Sequence, residues 1–167
     1  MWVSPTNFND PDNKWNSETL AYDDNISTGA DSPNITARTW SSYVEFNIAS
    51  ISCDKIRYYA FYNANINQIS VDVYYSGGWH NIYEGIQLNQ TWEEKAIGST
   101  QNVTAVRVRF YTKKVDTAYL YEIEFNEVDS GLINGYIMTS LAKSTEEILG
   151  YCMNSIEEFG YFMYPLV

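Results

Sequence analysis

Two stretches that lie far apart in the sequence contain the residue types that bind a hard cation. Residues 21–28 (AYDDNIST) combine two carboxylates, an amide and two aliphatic hydroxyls with turn-forming residues, which favours a loop. Residues 121–125 (YEIEF) alternate like a strand and add two carboxylates. Calcium takes roughly 6–8 oxygen ligands, so Asp, Asn and Thr oxygens closed by a distant Glu would suit it. We predict that the two stretches meet; the alternative is a loop satisfied by its own backbone hydrogen bonds.

A second group of residues is suited to binding a sugar. Tyr62 and Asn63 follow the end of a predicted strand, and His80 follows a predicted hairpin tip, where binding residues collect on rigid scaffolds. An aromatic ring can stack on the C–H face of a sugar, while polar side chains serve its hydroxyls. Together with Trp92, these residues are the candidates for ligand contacts.

Nothing in the sequence marks a catalytic site. His80 is the only histidine, and with two distant cysteines it cannot complete a zinc site of the usual three or four nitrogen and sulfur ligands. The sequence contains no GxSxG nucleophile motif, no P-loop and no dinucleotide-binding glycine pattern. Carboxylates are numerous, but no two of them are marked as the facing pair of a glycosidase. We therefore expect a protein that binds rather than an enzyme.

Composition limits the partners and the number of domains. At 167 residues the chain is long enough for one well-buried domain and an appendage. The formal net charge of −11 argues against nucleic acid and anionic membranes, and neither a secretory signal nor a run of ~18 apolar residues is visible. The 15 tyrosines suit both a β core and a recognition surface. Cys53 and Cys152 are expected to be buried free thiols rather than a disulfide.

Period-two alternation predicts a series of short strands from residue 42 onward. Val44, Phe46 and Ile48 share one face of the first strand. Arg107 and Arg109 lie on the outward face of a strong strand and should pair with neighbouring acids. Strands are predicted at residues 42–48, 55–62, 69–75, 79–83, 91–97, 103–111 and 119–128. The preceding 41 residues are expected to form ordered loops pinned by tryptophans, and the whole pattern favours a β-sandwich or jelly roll.

In this order and spacing, several of these segments resemble the discoidin family, also called coagulation factor 5/8 type C, which includes many bacterial carbohydrate-binding modules. The resemblance covers about residues 15–128. It rests on the segments AYDDNIST (21–28), YVEF (43–46), KIR (55–57), VDVYYSGGW (71–79), VRVRF (106–110) and EIEF (122–125). In the family a tryptophan at the position of Trp79 is more often a core residue, so we expect Trp79 in the core.

The resemblance implies an all-β protein, with a discoidin-like jelly-roll β-sandwich over residues 1–128. It also implies a structural calcium ion bound through Asp23, with Asn25 and Thr28 contributing oxygens and Glu122 closing the site. Asp24 stands where the family usually has glycine. Aspartate tolerates the left-handed conformation of such a turn better than most residues do.

Residues 129–167 differ from the rest and repeat a short G-Y-x-M unit, which begins at Gly135, Gly150 and Gly160. Short recurring units usually stack on neighbours or on copies of themselves. We therefore predict an assembly tail that contacts other protein chains and makes the protein a homo-oligomer or an assembly subunit. A capping box followed by an apolar stripe that includes Cys152 and Ile156 leaves a helix as the alternative. The tail also resembles short repeats of some phage virion proteins.

Two functions of different classes follow from these features. The first is a non-catalytic glycan-binding or adhesion module, extracellular or on a virion surface, whose partner is a glycan or cell-surface polysaccharide. The alternative is a virion decoration or appendage protein that uses the sandwich as a spacer and the tail for attachment or oligomerisation. The family resemblance favours the first, while the tail repeats and the lack of a visible signal sequence favour the second.

Overall fold

The computed structural model describes residues 1–128 and, in the C-terminal tail, residues 151–156 and 160–165. These residues form an almost entirely β structure with antiparallel pairing, plus one 3₁₀ helix at Glu18–Ala21. No helix in these ranges is long and apolar enough to cross a membrane. The strands are β1 (Trp2–Val3), β2 (Asn7–Asn9), β3 (Ala30–Ile35), β4 (Thr39–Trp40), β5 (Val44–Ala60), β6 (Ile66–Tyr75), β7 (Gly78–Ile86), β8 (Trp92–Thr112), β9 (Asp116–Glu127), β10 (Tyr151–Ile156) and β11 (Gly160–Pro165).

Two long strands, β5 and β8, belong to both layers of the sandwich. In layer 1, residues 44–53 of β5 pair with residues 101–108 of β8, and β6 and β7 follow on the other side of β8. In layer 2, residues 55–59 of β5 pair with residues 92–96 of β8, and β9 lies on the other side of β5. Register shifts in β5 mark where the ladder bends. On β8, Gly98 has a φ of 97°, a conformation that favours glycine.

The core lies between the two layers and is built from the inward side of the period-two pattern. On β8, Val106, Val108 and Phe110 are fully buried, as the alternation predicts. Burying an apolar side chain of this size contributes about 1.5–3 kcal/mol. Cys53 also lies in the core as a free thiol, as expected, and burial raises its pKa to about 11.

The outward residues of β8 form a polar and aromatic surface on layer 1. Arg107 Nε donates to Asp72 Oδ2 at 2.8 Å, and Arg109 Nη2 lies 3.7 Å from Glu84 Oε2. Both guanidinium groups also lie over the ring of Tyr43, at 4.0 and 4.6 Å from its centroid. The predicted pairing of these arginines with neighbouring acids is therefore present, and aromatic rings cover much of the remaining guanidinium surface.

The sequence predicted separate strands where the structure has continuous ones. The segments at 42–48 and 55–62 belong largely to one strand, β5, and those at 91–97 and 103–111 to another, β8. The β-bulges of this ladder bend the chain without ending its pairing. A loss of alternation between two apolar segments therefore marked a bend and not a connecting loop.

Two further expectations need correction in the N-terminal segment and on layer 1. Residues 1–41 contain four short strands rather than loops alone, although Trp15 is buried and pins the segment as expected. Trp79 is not in the core, because it lies half-buried on the outer face of layer 1. Its ring makes an edge contact with Tyr74, the residue opposite it in the β6–β7 hairpin, at 5.2 Å.

The chain divides into two compact units, Met1–Asp129 and Ser130–Val167. In the second unit, β10 and β11 pair antiparallel and contain Tyr151–Met153 of the second G-Y-x-M unit and all of the third, with Met153 opposite Met163. The helix considered for this segment is wrong, since Cys152 and Ile156 belong to β10. The first G-Y-x-M unit and the thiol of Cys152 lie outside the described residues.

Candidate functional site

The acidic loop lies against the middle of β9 because a glycine allows a close approach. Residues 22–29 connect the 3₁₀ helix to β3, whose Ala30 pairs with Leu120 of β9. A Cβ atom at Gly29 would lie 2.8 Å from the carbonyl oxygen of Leu120 and 2.9 Å from Cδ1 of Tyr121. Because neither a backbone carbonyl nor a packed ring can easily move, the residue at this position must lack a side chain.

Asp24 makes the turn of this loop in the left-handed conformation, with a φ of 61°. Its Oδ1 accepts a 3.0 Å hydrogen bond from Ser4 Oγ, which holds the exposed side chain in place. Short polar side chains tolerate this region because they can form local hydrogen bonds. Aspartate can therefore occupy the position where related loops usually have glycine.

The structure brings all four predicted metal-binding residues together. The backbone N–H of Asn25 donates to Glu122 Oε1 at 2.8 Å and to Asp23 Oδ1 at 3.1 Å. Thr28 Oγ1 donates to Asp23 Oδ2 at 2.8 Å and to the carbonyl oxygen of Asn25 at 3.0 Å. The loop thus satisfies many of its own polar groups, as the alternative interpretation supposes. Glu122 Oε2, however, is buried and has no hydrogen-bond partner among the described residues.

The environment of Glu122 makes its ionised form unfavourable. The side chain is 1% exposed, and its burial is the main reason that its pKa rises from 4.5 to about 7. The nearby carboxylates of Asp23 and Asp24 raise this pKa further, while the hydrogen bond from the Asn25 backbone lowers it. A cation between these carboxylates would reverse both main effects, because it would pair the buried charge and offset the repulsion.

The chemistry of these donors fits calcium in kind. In residues 1–128 no three His, Cys, Asp or Glu side chains come close enough to form a metal-binding group by themselves. Amide, hydroxyl and backbone carbonyl oxygens would therefore have to complete the shell, as calcium accepts. Asp23, Asn25, Thr28 and Glu122 are the residues that would hold the ion. A bound calcium would supply only positive charge and coordination, which would fix the loop on β9.

Three loops meet at one end of the sandwich, which we call the loop end: residues 61–65, 87–91 and 113–115. The backbone N–H of Lys113 donates to the carbonyl oxygen of Asn65 at 2.9 Å and joins the first loop to the third. The backbone N–H of Gln90 donates to the carbonyl oxygen of Ala60 at 2.9 Å and joins the second loop to the end of β5. Hydrogen bonds therefore hold the three loops of the loop end in fixed positions relative to one another.

Asp116, the first residue of β9, organises the loop that contains Asn63. Its Oδ2 accepts hydrogen bonds from Asn63 Nδ2 at 3.1 Å and from Asn65 Nδ2 at 2.9 Å. Asn63 Oδ1 in turn accepts from the backbone N–H groups of Asn65 and Ile66, at 2.7 Å each. The hydrogen bond from Asn65 is the largest cause of the lowered pKa of Asp116. Asn63 therefore shapes the loop with the same atoms that a ligand could use.

Tyr62 belongs to the first loop, and Trp92 directly follows the second loop. The backbone N–H of Tyr62 donates to Asn89 Oδ1 at 3.1 Å, which ties the first loop to the second. Trp92 begins β8 directly after the second loop and lies on the outer face of layer 2. The guanidinium carbon of Arg57 is 4.2 Å from its ring centroid, and the ring of Tyr59 is 5.6 Å away.

The structure does not bring His80 to the loop end. Strand β6 runs from Ile66 at the loop end to Tyr75 beside the hairpin turn, a length of about 30 Å. His80 lies at the hairpin end, where its ring stacks on Tyr75 with centroids 3.9 Å apart. Its Nε2 is 3.2 Å from the carbonyl oxygen of Tyr75. Tyr62 and Asn63 therefore form part of one candidate site, and His80 does not.

A cleft that sequence reasoning missed borders the loop end beside β4. Thr39 of β4 pairs with Thr112, the residue before the third loop. The cleft has a volume of about 480 Å³, and Trp40 is the aromatic residue of its lining. Among the described residues that line it, Lys14 is the only charged one, and asparagines, serines and threonines form most of the rest. Its signal in the sequence is the run Thr39–Ser42, one tryptophan surrounded by hydroxyl side chains.

No protein-family model matches this chain, and no curated protein matches it in sequence. Solved structures do match it in shape. A family 32 carbohydrate-binding module of C. perfringens NanJ, in complex with galactose, has a TM-score of 0.53 and 12% identity over 75% of this chain and 90% of that one. The CBM32 of AlyQ, in complex with 4,5-unsaturated mannuronic acid, has a TM-score of 0.57 and 15% identity over 77% and 99%.

An F5/8 type C domain from Bacteroides fragilis gives a similar result, with a TM-score of 0.52 and 17% identity over 75% of this chain and 91% of that one. At such identities the comparison establishes the fold. The chain is an all-β protein with the discoidin-like β-sandwich of CBM32 and F5/8 type C domains, as predicted. These matches do not support the resemblance of the tail to phage virion proteins.

Proposed function

We propose that this protein is a non-catalytic glycan-binding module whose site lies at the loop end. The observation that carries the proposal is a polar cleft of about 480 Å³ beside Trp40, next to loops that are fixed by hydrogen bonds. A concave site with one aromatic ring and many hydroxyl and amide groups suits a sugar. Similar modules in complex with galactose and with an unsaturated mannuronic acid support the same class of ligand.

Within this site, the proposed contacts come from the cleft and from the first loop. Trp40 contributes the ring of the cleft, and because the guanidinium carbon of Arg109 lies 4.7 Å from its centroid, a sugar would stack on the opposite face. Tyr62 and Asn63 belong to the first loop and do not line the cleft, so they would contact a ligand that extends from it. Trp92 lies on the adjoining face of layer 2 and would contact only a ligand that extends beyond the cleft. The site needs no movement of the loops, because Asp116 and Asn89 already hold them.

A glycan array followed by calorimetry with the sugars that bind tests this proposal. Trp40→Ala and Tyr62→Ala should weaken binding by about tenfold or more, since the loss of one stacked ring or polar contact is worth about 1–2 kcal/mol. His80→Ala is the matched control, because it removes a ring at the opposite end of β6. Retention of full affinity in both loop-end variants, or no binding to any glycan, would refute the proposal.

We also propose that calcium is bound between Asp23, Asn25, Thr28 and Glu122 as a structural ion. The buried, unpaired Glu122 Oε2 supports this, because a cation would supply the partner that it lacks. Calcium would then act on the loop from 22 to 29 and not on the glycan directly. Calorimetric titration of calcium into protein that has been stripped of calcium with a chelator tests the site. Glu122→Gln should abolish the heat of calcium binding.

A second candidate function is an adhesion or virion role in which the tail joins the sandwich to other chains. The antiparallel pair of β10 and β11 supports it, because among the described residues each of these strands has one edge that could pair with a further strand. Light scattering after size exclusion tests this role on the full chain and on a chain that ends at Val128. We expect the full chain to be an oligomer and the shorter chain a folded monomer; a monomeric full chain would contradict it.

A further inference from the structure

The outer face of layer 2 carries a continuous row of aromatic rings, one of which, Tyr121, also packs against Gly29 at the end of the acidic loop. The row crosses three neighbouring strands, and each ring is 5.6, 5.9, 6.5 or 6.1 Å from the next, measured between centroids. In the order of these contacts, its members are Trp92 of β8, Tyr59 of β5, Tyr121 and Tyr119 of β9, and Phe61, which directly follows β5. We call this surface the tyrosine row.

Strand register explains why the rings share one face. Tyr59 of β5 is opposite Trp92 of β8 and opposite Glu122 of β9, while Ala60 is opposite Leu120. A register shift therefore makes Tyr121 the extra residue of β9 beside Tyr59. Its neighbour Tyr58 points the other way and is fully buried in the core. The tyrosine row is thus the outward half of the period-two pattern, and the core does not require rings at these positions.

The exposure of the row and its hydroxyls indicate a polar ligand. Tyr119 is 38% exposed, and the other members are half-buried. Tyr59 and Tyr119 each carry a hydroxyl at the edge of their rings. The surface therefore offers apolar ring carbon together with hydroxyl groups that can both donate and accept. A polymer of sugars has the matching combination of C–H faces and hydroxyls.

The charged groups beside the row are ion pairs and carboxylates, the latter being Glu122 opposite Tyr59 and Asp31 opposite Tyr119, so the row does not favour an anionic ligand. Arg57, which stacks on Trp92, forms an ion pair with Glu124, and Lys55 forms one with Glu94 at 3.2 Å. The large aliphatic side chains that are exposed in residues 1–128 lie elsewhere: Met1, Ile26, Ile86, Leu88 and Val115. Protein interfaces also concentrate aromatic rings, so the continuity of the row with the loop end, and not its ring content, is what favours a hydroxyl-rich saccharide.

The row is continuous with the loop end. Phe61 directly precedes Tyr62, and Gln90 of the second loop approaches the Tyr121 hydroxyl with its Nε2 at 3.5 Å. We infer that the tyrosine row binds an extended, neutral polysaccharide chain that continues from the loop end. This inference rests on the proposed function and specifies its ligand as the interior of a polymer, since a single sugar would not reach the row.

Polymer and fragment binding distinguish the row from the loop end. The probes are soluble galactan, galactomannan and xyloglucan, tested by affinity gel electrophoresis, and their own di- to tetrasaccharides, tested by calorimetry. The full-length protein should bind at least one polymer about tenfold more tightly than its fragments, as expected for two or more ring contacts. The double variant Tyr59→Ala, Tyr119→Ala should lose this preference and keep its affinity for the fragments. Tyr74→Ala, on the outer face of layer 1, is the matched control.

A second double variant guards against a folding defect. Tyr59→Phe with Tyr119→Phe keeps the rings and removes only the hydroxyls, so it should fold normally and show an intermediate preference for polymer. Equal affinity for polymer and fragment in the parent, or an unchanged preference in the alanine variant, would refute polymer binding by the tyrosine row. Glycan binding at the loop end would be unaffected by either result. Failure to bind any polymer or fragment would refute the proposed function as well. If the parent protein is a dimer, the double alanine variant is a monomer and both bind polymer equally well, then the tyrosine row contacts a second copy of the chain and not a glycan.

Discussion

Two carboxylates of strand β9 each hold a loop, and they do so in opposite environments. Asp116 accepts two side-chain hydrogen bonds through Oδ2 and one from the backbone of Thr117 through Oδ1, and its pKa is lowered. Glu122 accepts one hydrogen bond through Oε1, its Oε2 is buried without a partner in the described part of the chain, and its pKa is raised. Both oxygens of Asp116, which holds the 61–65 loop, therefore accept hydrogen bonds, whereas Glu122 at the acidic loop has one oxygen without a partner among the described residues.

This difference indicates that Asp116 supports a scaffold loop and that Glu122 belongs to a binding site. A closed hydrogen-bond network is stable without a ligand, which suits a loop that must present Asn63 and Tyr62 in fixed positions. A buried carboxylate with an unpaired oxygen is costly unless a proton or a cation completes it. Acid, metal and substitution should therefore affect the two loops differently.

The largest expected effect is on the pH dependence of the free energy of unfolding, measured in the presence of a calcium chelator. The folded protein holds the proton of Glu122 more tightly than the unfolded chain does, because its folded pKa is about 7 against 4.5. Its contribution to stability is therefore fully present below pH 4.5 and is lost as the pH rises through 7, a change on the order of 3 kcal/mol. Urea unfolding in EDTA should show this decline in the parent. Glu122→Gln should be nearly flat over the same range, and equal slopes would contradict the assignment.

Calcium should give the next largest effect, and only at the acidic loop. An ion that binds only the folded state stabilises it by about 2.7 kcal/mol at 100-fold excess over Kd, so the Tm should rise with calcium and fall with EDTA. Asp23→Asn should remove the difference. Asp116→Asn, which alters the other carboxylate of β9, should retain it. An identical Tm with calcium and with chelator would exclude the metal.

A smaller effect is expected from Asp116 itself. Asp116→Ala removes the acceptor for Asn63 and Asn65 and should cost about 1–3 kcal/mol in urea unfolding, as for hydrogen bonds to a charged group. It should also weaken glycan binding at the loop end, because the first loop loses its anchor. Asp12→Ala is the matched control at an exposed aspartate. The comparison of the two loops fails if both variants are equally stable and bind glycan equally well.

Asp24→Gly should have the smallest effect on stability, within about 1 kcal/mol, because relief of the positive φ offsets the added flexibility and the lost bond from Ser4. The more informative effect of this substitution is on the neighbouring carboxylate of Glu122. Removal of the Asp24 charge should lower the pKa of Glu122, which Asp24 helps to raise. NMR titration of the Glu122 side chain would measure the shift, and an unchanged pKa would show that the Asp24 charge does not contribute to it.

The sequence predicted those features that depend on alternation and on matched motifs. The buried and exposed sides of β8 follow directly from period two, as Val108 and Arg109 show. The proximity of Asp23 and Glu122 followed from the order of family-like segments, because no local pattern links residues so far apart. The fold class followed from both kinds of evidence together.

Other features depend on geometry that the residue types do not encode. The bends of β5 and β8 arise where register shifts, and the residues 47–51 at one such shift give no turn signal like that of Gly77 and Gly78. The outward position of Trp79 follows from its partner in the hairpin, which requires knowledge of the register. The cleft beside Trp40 needs segments brought together from the N-terminal region and β4, and so could not be predicted from either segment alone.

The sharing of β5 and β8 between both layers also governs how the protein can come apart. Residues 44–60 must find partners about fifty positions later in the chain before either layer has a ladder, so closure of this long loop should limit the folding rate. Once formed, the same two strands prevent one layer from opening while the other persists. Amide hydrogens on the inner strands of both layers should therefore exchange through a single global event, with one shared opening free energy.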